Sequence, residues 1–228
     1  MIFHSCSCIY SNDYFANTEM KDVHILDHPL VECHLTTLRD KTTRPGEFRQ
    51  SIERLSALLA YAATTDLKTT DCPIETPLQK MVGQQLVERI GLIPILRAGI
   101  GMVDPMLNMI PSSEVWHLGL YRDEATAKPV HYYSKLPPGN PVDIAFVLDP
   151  MLATGGSALM ACQTAVDWGV PVIKMLSIIA SPEGIEKMQK EIPQIEIHTC
   201  VVDQCLNENK FIVPGLGDAG DRIFNTSG

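Results

Sequence analysis

Five short, almost uninterrupted apolar runs constrain the fold of this chain more than any other feature. They cover residues 90–96, 115–121, 143–149, 172–180 and 195–202. Each run has the length of a strand, but too few polar positions to leave one face in water. Such runs are typical of strands that are buried on both faces of a parallel sheet.

Helical sequence separates several of these runs. A helix is predicted from Ser157 to Trp168, with Ser157 as its N-cap and Gly169 just after its last residue. Ser181-Pro182-Glu183 predicts a second helix start, because a capping residue precedes a proline at the first helical position. A third helix begins near Pro45, where apolar residues recur with helical spacing. The alternation predicts an α/β fold: a mostly parallel, right-handed sheet flanked by helices.

The rest of the chain adds little to this core. The 228 residues, 45% of them hydrophobic, suit a single domain over residues 20–228. Residues 1–19 contain no Lys or Arg and no long apolar core, so a disordered N-terminal extension is predicted rather than a signal peptide. Residues 71–89 fit neither pattern, because prolines interrupt their start. No apolar run reaches transmembrane length, so no membrane partner is expected.

Charge and cysteine usage exclude other classes. The formal net charge is −9 and no cluster of Lys and Arg is present, which argues against a nucleic-acid partner. An anionic substrate would then be held by a few arginines, by backbone N–H groups or by a metal ion. The seven cysteines are scattered without a CxxC pair, which argues against a disulfide framework and against a zinc site. Reduced cysteines indicate a cytoplasmic protein.

The segment VLDPMLATGGS (147–157) carries the strongest chemical signal. Asp149 ends an apolar run, and Thr154-Gly155-Gly156-Ser157 opens the following helix. Glycines let the backbone approach a ligand closely, and a helix N-terminus offers unpaired N–H groups. This predicts a phosphate cradle, but not a P-loop, because no Lys follows the glycines. Taken alone, the motif could equally be a plain strand-to-helix turn.

Two arginines follow strand-like runs. Arg97 lies in PILRAGIG, and Arg122 lies in GLYRDE. The guanidinium fork matches phosphate oxygens, so both are candidate ligands for a pyrophosphate. Arg97 could instead be a surface residue ahead of a helix. Residues 119–136 could form an exposed hairpin or a lid that brings Arg122 over a bound anion.

The segment IVPGLGDAGDR (212–222) predicts a loop that reads a planar base. Ile212 begins a short strand, and backbone groups around Gly217-Asp218-Ala219 could meet the two carbonyls and the N3–H of uracil. The alternative is a glycine turn, with Asp221 capping a short last helix.

Together these segments resemble the uracil phosphoribosyltransferase family. The matching stretches, in chain order, are PILRAGIGMVD (94–104), GLYRDE (119–124), VLDPMLATGGS (147–157), SPEGIE (181–186), LNEN (206–209) and FIVPGLGDAGDRIF (211–224). The resemblance implies a type I phosphoribosyltransferase core with a small hood and arm. It implies transfer of the phosphoribosyl group of phosphoribosyl pyrophosphate (PRPP) to uracil N1, which gives UMP and pyrophosphate in pyrimidine salvage.

The resemblance also implies the site residues. The implied PRPP ligands are Arg97, Arg122, Asp149, Pro150, Met151, Leu152, Ala153, Thr154, Gly155, Gly156, Ser157 and Asp218. The implied uracil site is Ile212, Gly217, Asp218 and Ala219, and the implied catalytic residues are Asp149, Asp218, Arg97 and Arg122. Mg²⁺ is expected to be held mainly through PRPP. A homo-oligomer, either dimer or tetramer, is expected, and GTP is a candidate activator.

Some positions depart from the family pattern or leave alternatives open. Pro150 stands where most phosphoribosyltransferases have a second acid, as in the uracil branch, and Phe211 replaces a common Tyr at the lip of the uracil site. Pro105 stands where a Gly is frequent, and the chain ends FNTSG. A non-catalytic regulator on the same fold, or an enzyme for a purine or for orotate, are the competing hypotheses.

Overall fold

The computed structural model describes residues 22–122, 129–133 and 136–226, with the backbone alone for residues 119–122 and 129–133. The predicted extension, residues 1–19, lies outside these ranges. The helices are α1 (Pro29–Arg39), α2 (Pro45–Ala63), α3 (Val103–Met109), α4 (Gly156–Trp168), α5 (Pro182–Glu191) and α6 (Ala219–Phe224), with a 3-10 helix at Ala98–Met102. The strands are β1 (Val23–Ile25), β2 (Thr69–Glu75), β3 (Lys80–Leu86), β4 (Ile90–Pro94), β5 (Glu114–Val115), β6 (Gly119–Arg122), β7 (Pro129–Tyr133), β8 (Ile144–Leu148), β9 (Met151–Leu152), β10 (Val172–Ala180), β11 (Glu196–Val202), β12 (Cys205–Leu206) and β13 (Ile212–Val213).

A parallel sheet forms the centre, in the order β1-β11-β10-β8-β4-β5, with β9 also paired to β10. Strand β8 lies in the middle, between β4 and β10, and all five of its residues are buried. The continuous apolar runs therefore mark strands covered on both faces, and the predicted α/β class is confirmed. The run at 115–121 is the exception: β5 belongs to the sheet, whereas β6 pairs with β7 in an antiparallel hairpin.

Side chains on alternate positions of the central strand β8 enter two different cores. On β8, Phe146 and Leu148 pack in the core that includes Phe48 and Leu55 of α2. Val147 faces the other way, into the core that includes Ala161 of α4. This period-two alternation places α2 on one side of the sheet and α4 on the other. No helix in the described ranges is long and apolar enough to cross a bilayer.

The ambiguous residues 71–89 form the antiparallel hairpin of β2 and β3. Pro73 lies opposite Val82, in a two-stranded ribbon whose residues are almost all exposed. A proline is tolerated there because both strands are edge strands.

The helix starts test the capping predictions. Ser181 caps α5, since its Oγ accepts from the N–H of Gly184 at 3.0 Å, and Gly169 ends α4 with φ +97°. The prediction of Ser157 as the cap of α4 is wrong. The helix begins at Gly156, and its cap is Gly155 with φ +70°, a backbone conformation that glycine adopts without steric cost.

Candidate active site

The segment from β8 to α4, residues 149–157, lies along the carboxyl end of β10. Met151 and Leu152 pair with Ile179 and Ala180, and the carbonyl of Leu152 accepts from the Ser181 N–H at 2.9 Å. The backbone of this segment is therefore fixed up to Leu152, and the turn that follows lies beyond the carboxyl end of β10.

The turn then presents backbone N–H groups. Gly155 has φ +70°, and α4 begins at Gly156. The first N–H groups of a helix have no acceptor within the helix, and its dipole favours an anion at that end. Ser157 lies in the first turn, so its hydroxyl lies at the same end of the helix. This arrangement suits a phosphate group.

The N-terminus of α5 packs against the turn at residues 152 and 153. The Ser181 hydroxyl donates to the Ala153 carbonyl at 2.6 Å. A Cβ atom on Gly184 would collide with that carbonyl and would lie 2.9 Å from the Leu152 carbonyl oxygen. The segment SPEGIE thus holds the turn in place, a role that neither its helix-start pattern nor its family resemblance had indicated.

Lys187 adds a positive charge that the sequence analysis missed. A Cβ atom on Gly156 would lie 3.9 Å from the Lys187 Nζ, and one on Gly155 would lie 3.6 Å from its Cδ. Lys187 is exposed, so its side chain can turn towards an anion at the glycine pair. Lys187 lies in the second turn of α5 and gave no local signal, because only the completed fold brings it close to the two glycines.

Asp149 follows β8 and is largely shielded from solvent. Its Oδ1 accepts from the Met151 N–H at 3.2 Å. The pKa of Asp149 is raised to about 7, mainly by burial; the hydrogen bond from Met151 lowers it, and the negative charge of Asp218 contributes to the rise. The two carboxylates therefore act on each other across the same cleft, although they are far apart in sequence. A pair of like-charged oxygen ligands suits a hard cation such as Mg²⁺.

Arg97 extends from the end of β4 towards α6. Its Nη2 lies 2.9 Å from Asp221 Oδ1, and its Nη1 lies 3.2 Å from Thr226 Oγ1. A Cβ atom on nearby Gly99 would collide with the Leu148 carbonyl, so the 97–99 turn packs against the end of β8. The Arg97 side chain thus connects the turn after β4 to α6.

The backbone of Arg122 pairs with Pro129 at the far end of the β6–β7 hairpin. The hairpin alternative for residues 119–136 is confirmed for the backbone that the structure describes. The side chain of Arg122 and residues 123–128 lie outside the described part, so the lid role stays a prediction.

The glycine loop connects β13 to α6. Gly215 and Gly217 have φ values of +61° and +79°, and a Cβ atom on Gly215 would collide with the Ile212 carbonyl. Asp218 caps α6, since its Oδ1 accepts from the Asp221 N–H at 2.9 Å. The capping alternative, which named Asp221, is therefore corrected to Asp218. Ile212 and Ala219 are buried, which fixes both ends of the exposed Gly217-Asp218 segment.

An ion pair from outside the loop holds its base. Arg39 Nη2 lies 2.6 Å from Asp203 Oδ1, and Arg39 Nη1 donates to the Gly215 carbonyl at 2.9 Å. Asp203 Oδ2 accepts from the Gly215 N–H at 3.0 Å. Sequence reasoning missed both residues, because 164 positions separate them and neither lies in a motif that carried the argument.

Comparison with known proteins identifies the family. Residues 25–226 match the model of the family described as uracil phosphoribosyltransferase. The chain belongs to the uracil phosphoribosyltransferase family. The resemblance predicted from the motifs is thereby confirmed.

Individual members of the family match over nearly the whole chain. The uracil phosphoribosyltransferase of Roseiflexus sp. (strain RS-1) is 54% identical over 207 residues, which are 91% of this chain and all of that protein. The Finegoldia magna (strain ATCC 29328 / DSM 20472 / WAL 2508) member is 48% identical over 208 residues. The solved structure of the AQ2163 protein from Aquifex aeolicus aligns with a TM-score of 0.84 at 33% identity, covering 90% of this chain and 99% of that one.

Proposed function

We propose that this family member transfers the phosphoribosyl group of PRPP to uracil N1, releasing pyrophosphate and forming UMP. One observation carries the proposal: Arg97 joins the two loops. Its turn packs against the Leu148 carbonyl, just before the phosphate-type turn (149–157), and its guanidinium group pairs with Asp221, next to the glycine loop (212–220). Two loops of different chemistry at one cleft suit a substrate pair made of a sugar phosphate and a base.

The 5-phosphate is proposed to bind at the start of α4. Backbone N–H groups of residues 153–157 would donate to its oxygens, with the hydroxyls of Thr154 and Ser157. Lys187 would add charge from α5. The pinned backbone at Pro150, Met151 and Leu152 keeps these donors in place before substrate arrives, so little ordering entropy is lost on binding.

The pyrophosphate is proposed to bind Arg97 and Arg122. Both guanidinium groups can bind phosphate oxygens with two parallel hydrogen bonds. Asp149 and Asp218 would face a Mg²⁺ ion held mainly by PRPP, and that ion would supply charge neutralisation at the pyrophosphate. As the leaving group gains negative charge, the two arginines stabilise it more strongly than in the bound substrate.

Bond breaking at the sugar C1 leaves positive charge on the ribose. The carboxylates of Asp149 and Asp218 would favour that charge and would need no reorganisation in the reaction. Uracil N1 then bonds to C1 from the face opposite the leaving pyrophosphate and releases its proton to solvent. Positioning and charge stabilisation provide the rate enhancement, and no covalent bond to the protein forms.

Uracil is proposed to be read by backbone groups of Gly217, Asp218 and Ala219, with Ile212 against the ring. Carbonyl and N–H groups of the loop would meet the O4, N3–H and O2 edge, whereas cytosine presents an amino group at position 4. Phe211, 44% exposed, lies next to Ile212 at the lip, so no hydroxyl contributes there.

A homo-oligomer in a reducing, cytoplasmic compartment is also part of the proposal. Apolar side chains stand exposed on and beside the β2–β3 hairpin, among them Leu78 (94%) and Val82 (57%), which supports self-association. The described cysteines at positions 33, 72, 162 and 200 are free thiols. Activation by GTP follows from the resemblance alone and is tested by adding GTP to the assay.

The deciding experiment measures pyrophosphate release from PRPP and Mg²⁺ with uracil, cytosine, orotate, hypoxanthine or adenine. We expect release with uracil only, and only with Mg²⁺. Equal release with orotate or a purine would overturn the base assignment. PRPP binding without any turnover would favour the regulator hypothesis.

A further inference from the structure

A second cluster of ligand-type side chains lies on the edge strand β1 and on its neighbour β11. His24 on β1, Glu196 on β11 and His198 on β11 offer ligand atoms that all lie within 4.8 Å of one another. Glu196 begins β11, and Lys174 beside it lies near the start of β10. The cluster is therefore at the amino ends of the strands, opposite the candidate active site.

Strand register explains why the three side chains converge. His24 and His198 are directly paired on the adjacent strands β1 and β11. Glu196 precedes His198 by two positions, so both project from the same face of β11. Because β1 is the edge strand, His24 remains exposed, whereas His198 is only 4% exposed.

The buried imidazole lacks the partners that its polarity requires. Within the described residues, neither Nδ1 nor Nε2 of His198 has a hydrogen-bond partner, although both atoms are buried. Its nearest carboxylate oxygen, Glu196 Oε2, is 3.7 Å from Nε2. Buried polar groups without a partner are rare in folded proteins and need an explanation.

We propose that His24, Glu196 and His198 bind one divalent transition-metal ion of the Zn²⁺ type. Two imidazoles and one carboxylate form a common ligand set for such ions, with water in the remaining position. Mg²⁺ is excluded as the preferred ion, because it favours oxygen ligands. The sequence argument against zinc considered cysteine pairs alone. It could not detect this site, because His24 lies 172 positions before Glu196 and only strand pairing brings them together.

The cluster must adjust to close around an ion. The two rings now stack with centroids 4.5 Å apart, and exposed His24 is free to rotate a nitrogen inwards. Glu196 lies 3.3 Å from Lys174 Nζ, but Lys174 keeps Asp66 at 2.7 Å and the Ala63 carbonyl at 3.1 Å if Glu196 turns away. The side chains also line a cavity of about 580 Å³, which gives an ion a path from solvent.

An ion there would fasten the edge strand β1 to β11. Because the ion binds the folded chain and the ligands separate on unfolding, it should raise the melting temperature with increasing ion concentration. It should leave the transfer chemistry at the carboxyl ends of the strands unchanged. The metal proposal therefore does not depend on the proposed function.

The test uses the full chain after chelator treatment, titrated with Zn²⁺ against a chromophoric chelator. We expect one ion per chain, with affinity about tenfold or more weaker in both His24→Ala and Glu196→Gln, since even outer-shell changes cost about 10–100-fold. His34→Ala, which removes a histidine of α1, should bind as the parent does. Millimolar Mg²⁺ should not compete.

Two readouts exclude other binding modes. Co²⁺ should give the spectrum of nitrogen and oxygen ligands, without a thiolate charge-transfer band, and Zn²⁺ should raise the melting temperature of the parent but not of His24→Ala. A thiolate band, or parent-like Zn²⁺ affinity in His24→Ala, would overturn the proposal. Uracil-dependent turnover of His24→Ala, assayed with Mg²⁺ and PRPP, should stay unchanged.

Discussion

The guanidinium group of Arg97 is paired with the carboxylate of Asp221, with 2.9 Å between Nη2 and Oδ1. The Arg97 side chain is 57% exposed, and an ion pair in such surroundings contributes little to stability. Pyrophosphate carries more charge than one carboxylate and can bind both guanidinium nitrogens. Asp221 therefore orients Arg97 at the cleft without preventing its transfer to a substrate.

Arg97→Ala and Arg122→Ala should each raise the KM for PRPP and also lower kcat. Each change removes a charge-assisted contact worth about 1.5–3 kcal/mol. Part of the loss belongs in kcat, because the leaving group gains charge in the transition state. Arg97→Lys is the matched variant: it keeps the charge, loses the fork and should be intermediate. Steady-state kinetics in both substrates check this, and a change confined to the KM for uracil would refute the pyrophosphate role.

Asp218→Asn should separate the electrostatic role of this residue from its capping role. Asn keeps an oxygen that can accept from the Asp221 N–H, so α6 and the melting temperature should be preserved. The ribose loses a negative neighbour, which commonly costs about 10²–10³ in rate. We expect kcat to fall far more than uracil affinity, measured with a PRPP analogue present. Asp218→Ala, which also loses the cap, should melt lower, and near-normal kcat in Asp218→Asn would refute the electrostatic role.

The sequence predicted the central strands well because they are buried on both faces, which leaves an uninterrupted apolar signature. It also located the turn at 149–157, where glycines and strand end coincide. It failed on the cap of α4, because the backbone conformation of Gly155 outweighed the side-chain preference of Ser157. The Arg39–Asp203 pair left no local signal, since only the completed fold joins the end of α1 to the residue after β11.

Gly184→Ala should disturb the phosphate-type turn. The added methyl group would meet the carbonyls of Ala153 and Leu152, so either the turn or α5 must shift. Overpacking of this kind typically costs about 1–3 kcal/mol. We expect a lower melting temperature and a raised KM for PRPP, with the KM for uracil less affected.

Gly46→Ala is the control, because a Cβ atom there meets nothing within 4 Å and alanine favours α2. It should keep parent kinetics and melt at the parent temperature or slightly above. Parent-like KM for PRPP in Gly184→Ala would show that the close contact does not position the turn.

Arg39→Met should loosen the glycine loop from its base. The change removes the bond to the Gly215 carbonyl and leaves Asp203, whose side chain is 4% exposed, without its cation. Removing one partner of a buried ion pair typically lowers the free energy of unfolding by about 3–5 kcal/mol. Because Arg39 is partly exposed, we expect a loss near the lower end of this range. We expect a lower melting temperature and a raised KM for uracil. The double variant Arg39→Met with Asp203→Asn should recover part of the stability, and failure to do so would show that the pair is not coupled.

Asp149 should make the stability of the ligand-free protein fall as pH rises. Its pKa is raised from 3.8 to about 7, so between these values the folded state holds a proton that the unfolded state has released. The unfolding free energy then decreases with pH across this window and levels off above about pH 7. Asp149→Asn cannot ionise, so its melting temperature relative to that of the parent should rise from about pH 4 to about pH 7 and then stay constant.

Substrate should act in the opposite sense on the same carboxyl group. A cation bound to PRPP favours the ionised form of Asp149. Binding of PRPP with Mg²⁺ should therefore release a proton, and the affinity should increase as pH rises towards about 7. Melting curves of parent and Asp149→Asn over this range, with and without PRPP and Mg²⁺, measure both effects. The exposed Asp71→Asn on β2 should follow the parent at every pH. A constant difference in melting temperature between the parent and Asp149→Asn would refute the raised pKa, because only a titrating group makes that difference depend on pH.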